Sequence, residues 1–323
     1  MAPPDVKFEV IAGMRHSVIH IGANKTASTT LQRALFSTHS QIQYLGEDGV
    51  GYADYAPLVN SLANDDDLYY PANKCAELFQ RHLSEASDKT FLYSNEDVMT
   101  SHLPLICAKR LHSLVPDAEI LLVIRNQHTA VPSFYANHGA FLKPAPPSYF
   151  RRHVSVDDWI SFQTMFDKYG ALASFRYDQF LSIYEQLFGK DRVHVLLFEE
   201  FVSDRKSFID KLSGILRIDP VEALNGLKAS HERRRLTGRL LAYNKFRTSF
   251  FWGTQFSKLL PFGNRLSNLV DGFLEKGSPA KIAMSPEIKK TIHELYCEGN
   301  TKLAEKYNLP LAQYGYPLSA VPA

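Results

Sequence analysis

Apolar positions along this chain follow two rhythms. Four short runs are apolar almost without interruption: Ser17-Val-Ile-His-Ile21, Thr90-Phe-Leu-Tyr-Ser94, Glu119-Ile-Leu-Leu-Val-Ile124 and Val193-His-Val-Leu-Leu-Phe198. Runs this short, rich in β-branched residues and Leu, predict strands buried on both faces. Between and after them, apolar residues recur at helical spacing over 29–36, 74–86, 103–114, 126–141, 156–169 and 178–188, and again around 208–216. Pro132 falls near the first turns of the 126–141 segment, where a helix tolerates it best. Ser155 precedes Asp157 and Asp158 as an N-cap with acids in the first turn, and Ser285-Pro-Glu287 opens a long final helix in the same way. Strands alternating with helices predict a three-layer α/β fold with a mostly parallel central sheet, the 103–114 helix being a right-handed crossover.

The remaining segments read less regularly. Residues 46–51 predict a loop, and 52–73 mix Pro, Asn, Asp and Tyr with little period. Asp65-Asp66-Asp67 reads as solvated loop or helix-start charge rather than a metal site, because consecutive side chains diverge. Lys143-Pro-Ala-Pro-Pro147 must break structure and predicts a mobile excursion at the substrate edge. Beyond Pro220 the chain turns basic and helical, and the apolar stretch 250–281 allows either a cover over the site or a homodimer contact. The expected organisation is a single domain, 1–323, with its core over about 15–220 and a helical cap over about 221–323.

Composition narrows the function classes. The 323 residues carry 36 basic and 34 acidic side chains for a net charge of +2, a balance that argues against a general nucleic-acid binder. Cys75, Cys107 and Cys297 are odd in number and lack metal-ligand spacing, which predicts a reducing, cytoplasmic location and no structural metal. The first residues show no basic stretch leading into a long apolar one, so neither a signal peptide nor a transmembrane anchor is expected.

The chemistry concentrates where the first strand ends. Gly22-Ala-Asn-Lys-Thr-Ala-Ser-Thr-Thr30 is a turn rich in hydroxyls around one lysine, entering a helix. At the carboxyl edge of a parallel sheet, loop N–H groups and the positive end of the helix dipole converge on an anion. Lys25 adds a cation, and Thr26, Ser28, Thr29 and Thr30 add hydroxyl donors. An ATP or GTP loop needs Gly, four residues, then Gly-Lys-Ser/Thr, and Ala23-Asn24 before Lys25 breaks that spacing. A second anion site is expected at the end of the 119–124 run, where Arg125 is followed eight residues later by Ser133. Two anion sites at two strand ends point to a ligand with two separated phosphates. His20, on the first strand, reads as a satisfied core histidine.

These two motifs resemble the sulfotransferases that use 3′-phosphoadenosine 5′-phosphosulfate (PAPS), and His20-Ile-Gly-Ala-Asn-Lys-Thr-Ala-Ser-Thr-Thr-Leu-Gln32 is most similar to bacterial members. The resemblance spans roughly 15–220 and implies a P-loop-like fold. It implies that Gly22, Lys25, Thr26, Ala27, Ser28, Thr29 and Thr30 grip the 5′-phosphosulfate, and that Arg125 and Ser133 grip the 3′-phosphate. Ala27 departs from the family, many of whose members have Gly there, which leaves the tightness of the turn open. A late basic loop closes on the 3′-phosphate in the family, and among Arg233, Arg234, Arg235 and Arg239 the expectation falls on Arg235 and Arg239.

The reaction so implied is in-line sulfuryl transfer from PAPS to an acceptor hydroxyl, with no metal and with 3′,5′-adenosine bisphosphate as product. The bacterial likeness favours a glycan or glycolipid acceptor, and Tyr135, Phe141 and Tyr149 are candidates to stack on sugar or to be core. Three residues compete for the base. Glu96 stands just beyond a central strand, where it could accept the proton, hold Lys25 or cap the next helix. Glu47 resembles the glutamate of heparan-type enzymes, and His102, in Ser-His-Leu-Pro, resembles the histidine of cytosolic ones. A nucleotide or small-molecule kinase and a non-catalytic PAPS-binding protein remain the alternatives.

Overall fold

The computed structural model describes residues 16–137, 153–165, 171–229, 237–250 and 282–320, with 274, 278 and 280. The excursion 143–147, Phe141, Tyr149, Arg233, Arg234, Arg235 and most of 250–281 lie outside the described residues.

Five strands form one sheet in the order β2-β3-β1-β4-β5: β1 Ser17–His20, β2 Ile42–Gly46, β3 Thr90–Ser94, β4 Glu119–Ile124 and β5 Val193–Leu197. Every pairing is parallel. Alternation along each strand feeds two cores. Ile19, Phe91, Tyr93, Ile120, Leu122 and Ile124 face one layer, and Val18, Leu92, Leu121, Val123 and Leu196 face the other. Both faces are covered, so the strands read as continuous apolar runs.

The first layer contains α2 (Tyr52–Asn64), α3 (Ala72–Glu85), the short α4 (Asp97–Thr100), α5 (Pro104–Leu114), α6 (Gln127–Asn137), α7 (Val156–Thr164) and α8 (Tyr177–Phe188). On the other layer α1 (Ser28–Leu31) runs directly into a π-helical turn, Gln32–Phe36, and packs with α10 (Arg205–Leu216) and α11 (Pro220–Ala229); α9 (Phe198–Ser203) follows β5. α12 is Gly238–Phe250, and α13, Pro286–Tyr307, returns to the first layer. The helix after β1 and the helices after β3 and β4 thus lie on opposite faces, which opens a crevice at the carboxyl ends of the central strands.

Three elements depart from the pattern reading. β2 pairs in full register with β3, although Gln43 interrupts its apolar run; as an edge strand it needs only one well-buried neighbour. α2 forms across a stretch with weak sequence period and contains Pro57, because Tyr55, Val59, Leu62 and Ala63 supply a buried stripe. α9 begins at Phe198, where the sequence reads as strand. The caps behave as expected: Ser155 accepts from the Asp158 amide and Ser285 from the Ile288 amide. Asp67 does not stand alone in solvent, since Arg110 Nη2 donates to its carboxylate at 2.7 Å while Nη1 donates to the Asp65 carbonyl. Tyr135 is core, 2% exposed, with its hydroxyl on the Val154 carbonyl, and so is not available to a sugar in this structure.

Candidate active site

Residues 22–27 carry the chain from β1 into α1 through a backbone that the side chains themselves hold. Lys25 and Ala27 both lie in the left-handed region, with φ of 68° and 66°. Turns of this kind direct successive N–H groups into an anion-binding concavity. A Cβ at Gly22 would stand 3.1 Å from His20 Cε1, 3.2 Å from Ser28 Oγ and 3.3 Å from Glu96 Cγ, so only glycine passes here without displacing a neighbour.

The four hydroxyls of the loop divide into two kinds. Thr26 Oγ1 donates to the Ala23 carbonyl at 2.7 Å and Ser28 Oγ to the same carbonyl at 3.1 Å, and both residues are buried. They shape the loop from inside, a role the sequence reading did not foresee. Thr29 and Thr30 are half-buried, and Thr29 Oγ1 donates to Glu96 Oε1 at 3.4 Å. That distance is at the long end for a hydrogen bond, so the contact orients the carboxylate weakly.

Beneath the loop lies a buried polar triangle. His20 Nδ1 and Ser94 Oγ are 2.8 Å apart, and Gln32 Nε2 donates to Ser94 Oγ at 3.0 Å. His20 is only partly satisfied, because its Nε2 has no hydrogen-bond partner within the described protein. Burial alone drives its imidazole down to about 4, so it stays neutral near pH 7.

The second motif meets the first directly. Arg125 Nη1 donates to the Lys25 carbonyl at 2.9 Å and Nε to Thr129 Oγ1 at 3.0 Å, while the guanidinium lies 4.5 Å from the centre of the Phe198 ring. Ser133 is half-buried on α6, one turn beyond Thr129 on the same face. Thr129 and Phe198 were missed in the sequence, although the spacing Arg125, Thr129, Ser133 at successive fours was there to be read.

Among the three candidates for the base, register separates the two glutamates. Glu96 follows β3, whose Ser94 pairs with His20 of β1; Glu47 follows β2, a strand further out, and is exposed. Glu47, Asp97 and Asp48 surround Tyr52, whose phenol is pushed up by burial first and then by these carboxylates. Glu96 accepts from Thr29 of the cradle, and its Cγ occupies the space a Cβ at Gly22 would approach; it holds the N-cap position of α4 but makes no side-chain cap bond. His102 is exposed beyond α4. Arg239 is exposed in the first turn of α12.

Two cations on adjoining strand ends, a glycine-floored loop and a carboxylate beside it suit a ligand with two anionic groups next to a hydroxyl. Among the described residues no helix is long and apolar enough to cross a membrane. No curated protein matches the chain. Its fold is similar to that of a sulfotransferase from Alicyclobacillus acidocaldarius, at 17% identity over 64% of this chain and 83% of that one, with a TM-score of 0.44. A mouse sulfotransferase complexed with PAP is similar at 14% identity over 94% and 88% of the two chains, with a TM-score of 0.42. The sulfotransferase domain of the curacin biosynthetic pathway is similar at 12% identity, covering 79% of this chain and 98% of that one, TM-score 0.42. The sulfotransferase family itself matches residues 17–222, a span that holds both anion motifs and all five strands, and the chain belongs to that family.

Proposed function

We propose that the protein transfers a sulfuryl group from PAPS to an acceptor hydroxyl of a glycan or glycolipid, acting as one domain over 1–323. The observation that carries the reading is the hydrogen bond from Arg125 to the Lys25 carbonyl, which puts a guanidinium and an ammonium-bearing loop side by side at one sheet edge. PAPS would supply the sulfuryl group and, as its product, 3′,5′-adenosine bisphosphate.

In this reading the N–H groups of the loop beginning at Gly22, with Lys25, Thr29 and Thr30, bind the 5′ end, and Thr26, Ala27 and Ser28 fix the loop's shape. Arg125 and Ser133, with Thr129 holding the guanidinium, bind the 3′-phosphate. Arg235 and Arg239 are second-rank candidates for that phosphate. Lys25 neutralises charge gathering on the leaving phosphate, an interaction that counts most in the transition state. Glu96 accepts the acceptor's proton, in preference to Glu47 or His102, because it alone of the three contacts the cradle. These parts need no metal. The three cysteines are free thiols, in keeping with a cytoplasmic enzyme.

Calorimetry against 3′,5′-adenosine bisphosphate, 5′-AMP and ATP tests the nucleotide reading. Selective binding of the first is expected, whereas preference for ATP would return the protein to the kinase alternative. Turnover of PAPS across a glycan and glycolipid library tests the rest, and binding with no turnover on any hydroxyl would favour a non-catalytic PAPS-binding protein.

A further inference from the structure

The two residues that follow Arg125 are tied to the far end of the chain. Asn126 Nδ2 donates to the Tyr314 carbonyl at 2.8 Å, and the Asn126 amide donates to Glu199 Oε1 at 2.9 Å. The other oxygen of Glu199 accepts from the Tyr316 hydroxyl at 2.8 Å. Gln127 and Asn300 exchange two amide hydrogen bonds, each 3.0 Å, with both side chains buried. Asn300 Nδ2 also donates to the Pro317 carbonyl at 2.9 Å. Behind Arg125, Tyr177 donates its hydroxyl to the Arg125 carbonyl at 3.0 Å.

Such contacts are costly to disturb, because a buried amide left without its partner incurs its full desolvation penalty. They converge on one short segment, 125–127. Tyr177 and Glu199 lie within residues 17–222 matched by the family, but the partners of the Asn126 and Gln127 side chains, Tyr314 and Asn300, and Tyr316, which holds Glu199, all lie beyond it, in 300–317. We infer that the tail from Asn300 to Pro317 positions Arg125 for the 3′-phosphate, so that nucleotide selectivity is set in part by the C-terminus. Asn300 and Tyr316 are then positioning residues. The inference rests on the reading of Arg125 given above.

The test compares 3′,5′-adenosine bisphosphate with 5′-AMP by calorimetry on the full chain. Tyr316→Phe removes one hydroxyl and leaves the ring in place. It is expected to lower the preference for the 3′-phosphorylated nucleotide about three- to tenfold while 5′-AMP affinity holds within about twofold. A lower melting temperature with the preference unchanged would mark Tyr316 as merely structural and overturn the inference. Should the variant not fold, the wild-type protein still decides, because coupling is reciprocal. Hydrogen exchange at 311–317 should slow more with saturating 3′,5′-adenosine bisphosphate than with saturating 5′-AMP, and equal protection would overturn the inference. Arg125→Ala separates the two layers of the argument. If wild type shows no 3′-preference, the Arg125 reading fails and the tail's role falls with it. If Arg125→Ala abolishes the preference and Tyr316→Phe leaves it intact, only the tail's role fails.

Discussion

Arg125 donates from Nη1 to the backbone carbonyl of Lys25 at 2.9 Å, joining residues 100 positions apart in the chain. The side chain proposed to recognise one phosphate therefore also braces the loop proposed to hold the other. Arg125→Ala should abolish preference for the 3′-phosphorylated nucleotide, a loss of about 2–5 kcal/mol for a desolvated charge pair. It should also weaken 5′-AMP binding by about 1 kcal/mol through the lost bond to the loop. Calorimetry with the two nucleotides measures both, and an unchanged 3′-preference would remove Arg125 from the site.

Lys25→Ala should depress turnover more than nucleotide affinity. Charge on the leaving phosphate grows toward the transition state, so a cation aimed there contributes mainly to kcat. Steady-state kinetics at saturating PAPS check this, and a pure loss of affinity with kcat intact would reassign Lys25 to ground-state binding.

Glu96→Gln keeps an oxygen for Thr29 and removes the ability to take a proton. Turnover is expected to drop by about 10²–10⁴-fold with PAPS affinity nearly preserved. Glu47→Gln and His102→Ala, measured in parallel on the same acceptor, should lose much less. The base belongs to whichever variant shows the largest selective loss.

Ala27→Gly should stabilise the fold slightly. Ala27 holds φ at 66°, a region that costs a residue with a Cβ roughly 1–2 kcal/mol. Greater freedom of glycine in the unfolded chain returns about 0.4–1 kcal/mol of that, for a net gain of about 0.5 kcal/mol. Urea unfolding reports the difference. A less stable variant would mean that packing of the Ala27 methyl outweighs the backbone strain.

Stability should fall as pH drops below 6.5 because of His20. The unfolded imidazole takes a proton at its ordinary 6.5, while burial holds the folded one down to about 4. Between those values the unfolded state binds more protons, so acid favours unfolding, by up to about 3 kcal/mol once pH reaches 4. His20→Gln should flatten this part of the stability curve by about one proton, read from denaturant melts at stepped pH. An unaltered slope would show that His20 is already protonated or solvated in the fold.

Elements whose signal is local were legible along the chain. Continuous apolar runs of this shortness, rich in β-branched residues, suit strands covered on both faces, which is why β1, β3, β4 and β5 and the parallel, three-layer plan were legible. Ser155 and Ser285 declared helix starts because a cap needs only residues three positions apart. The Lys25 loop and the Arg125–Ser133 pair were legible for the same reason, each motif being contained in a dozen residues or fewer. Features that depend on partners distant in the chain emerged only on folding. Neither β2 nor α2 carries a strong period of its own; β3 pairing holds the one and the first-layer core holds the other. Packing likewise turned Thr26 and Ser28 inward onto the Ala23 carbonyl and set Glu96 rather than Glu47 beside Thr29 of the loop. It also set the amides of Gln127 and Asn300 face to face across 173 positions. No pattern in a single sequence encodes such meetings, because hydrogen bonds and buried contacts are made in space and each chosen side chain has many equivalent partners along the chain.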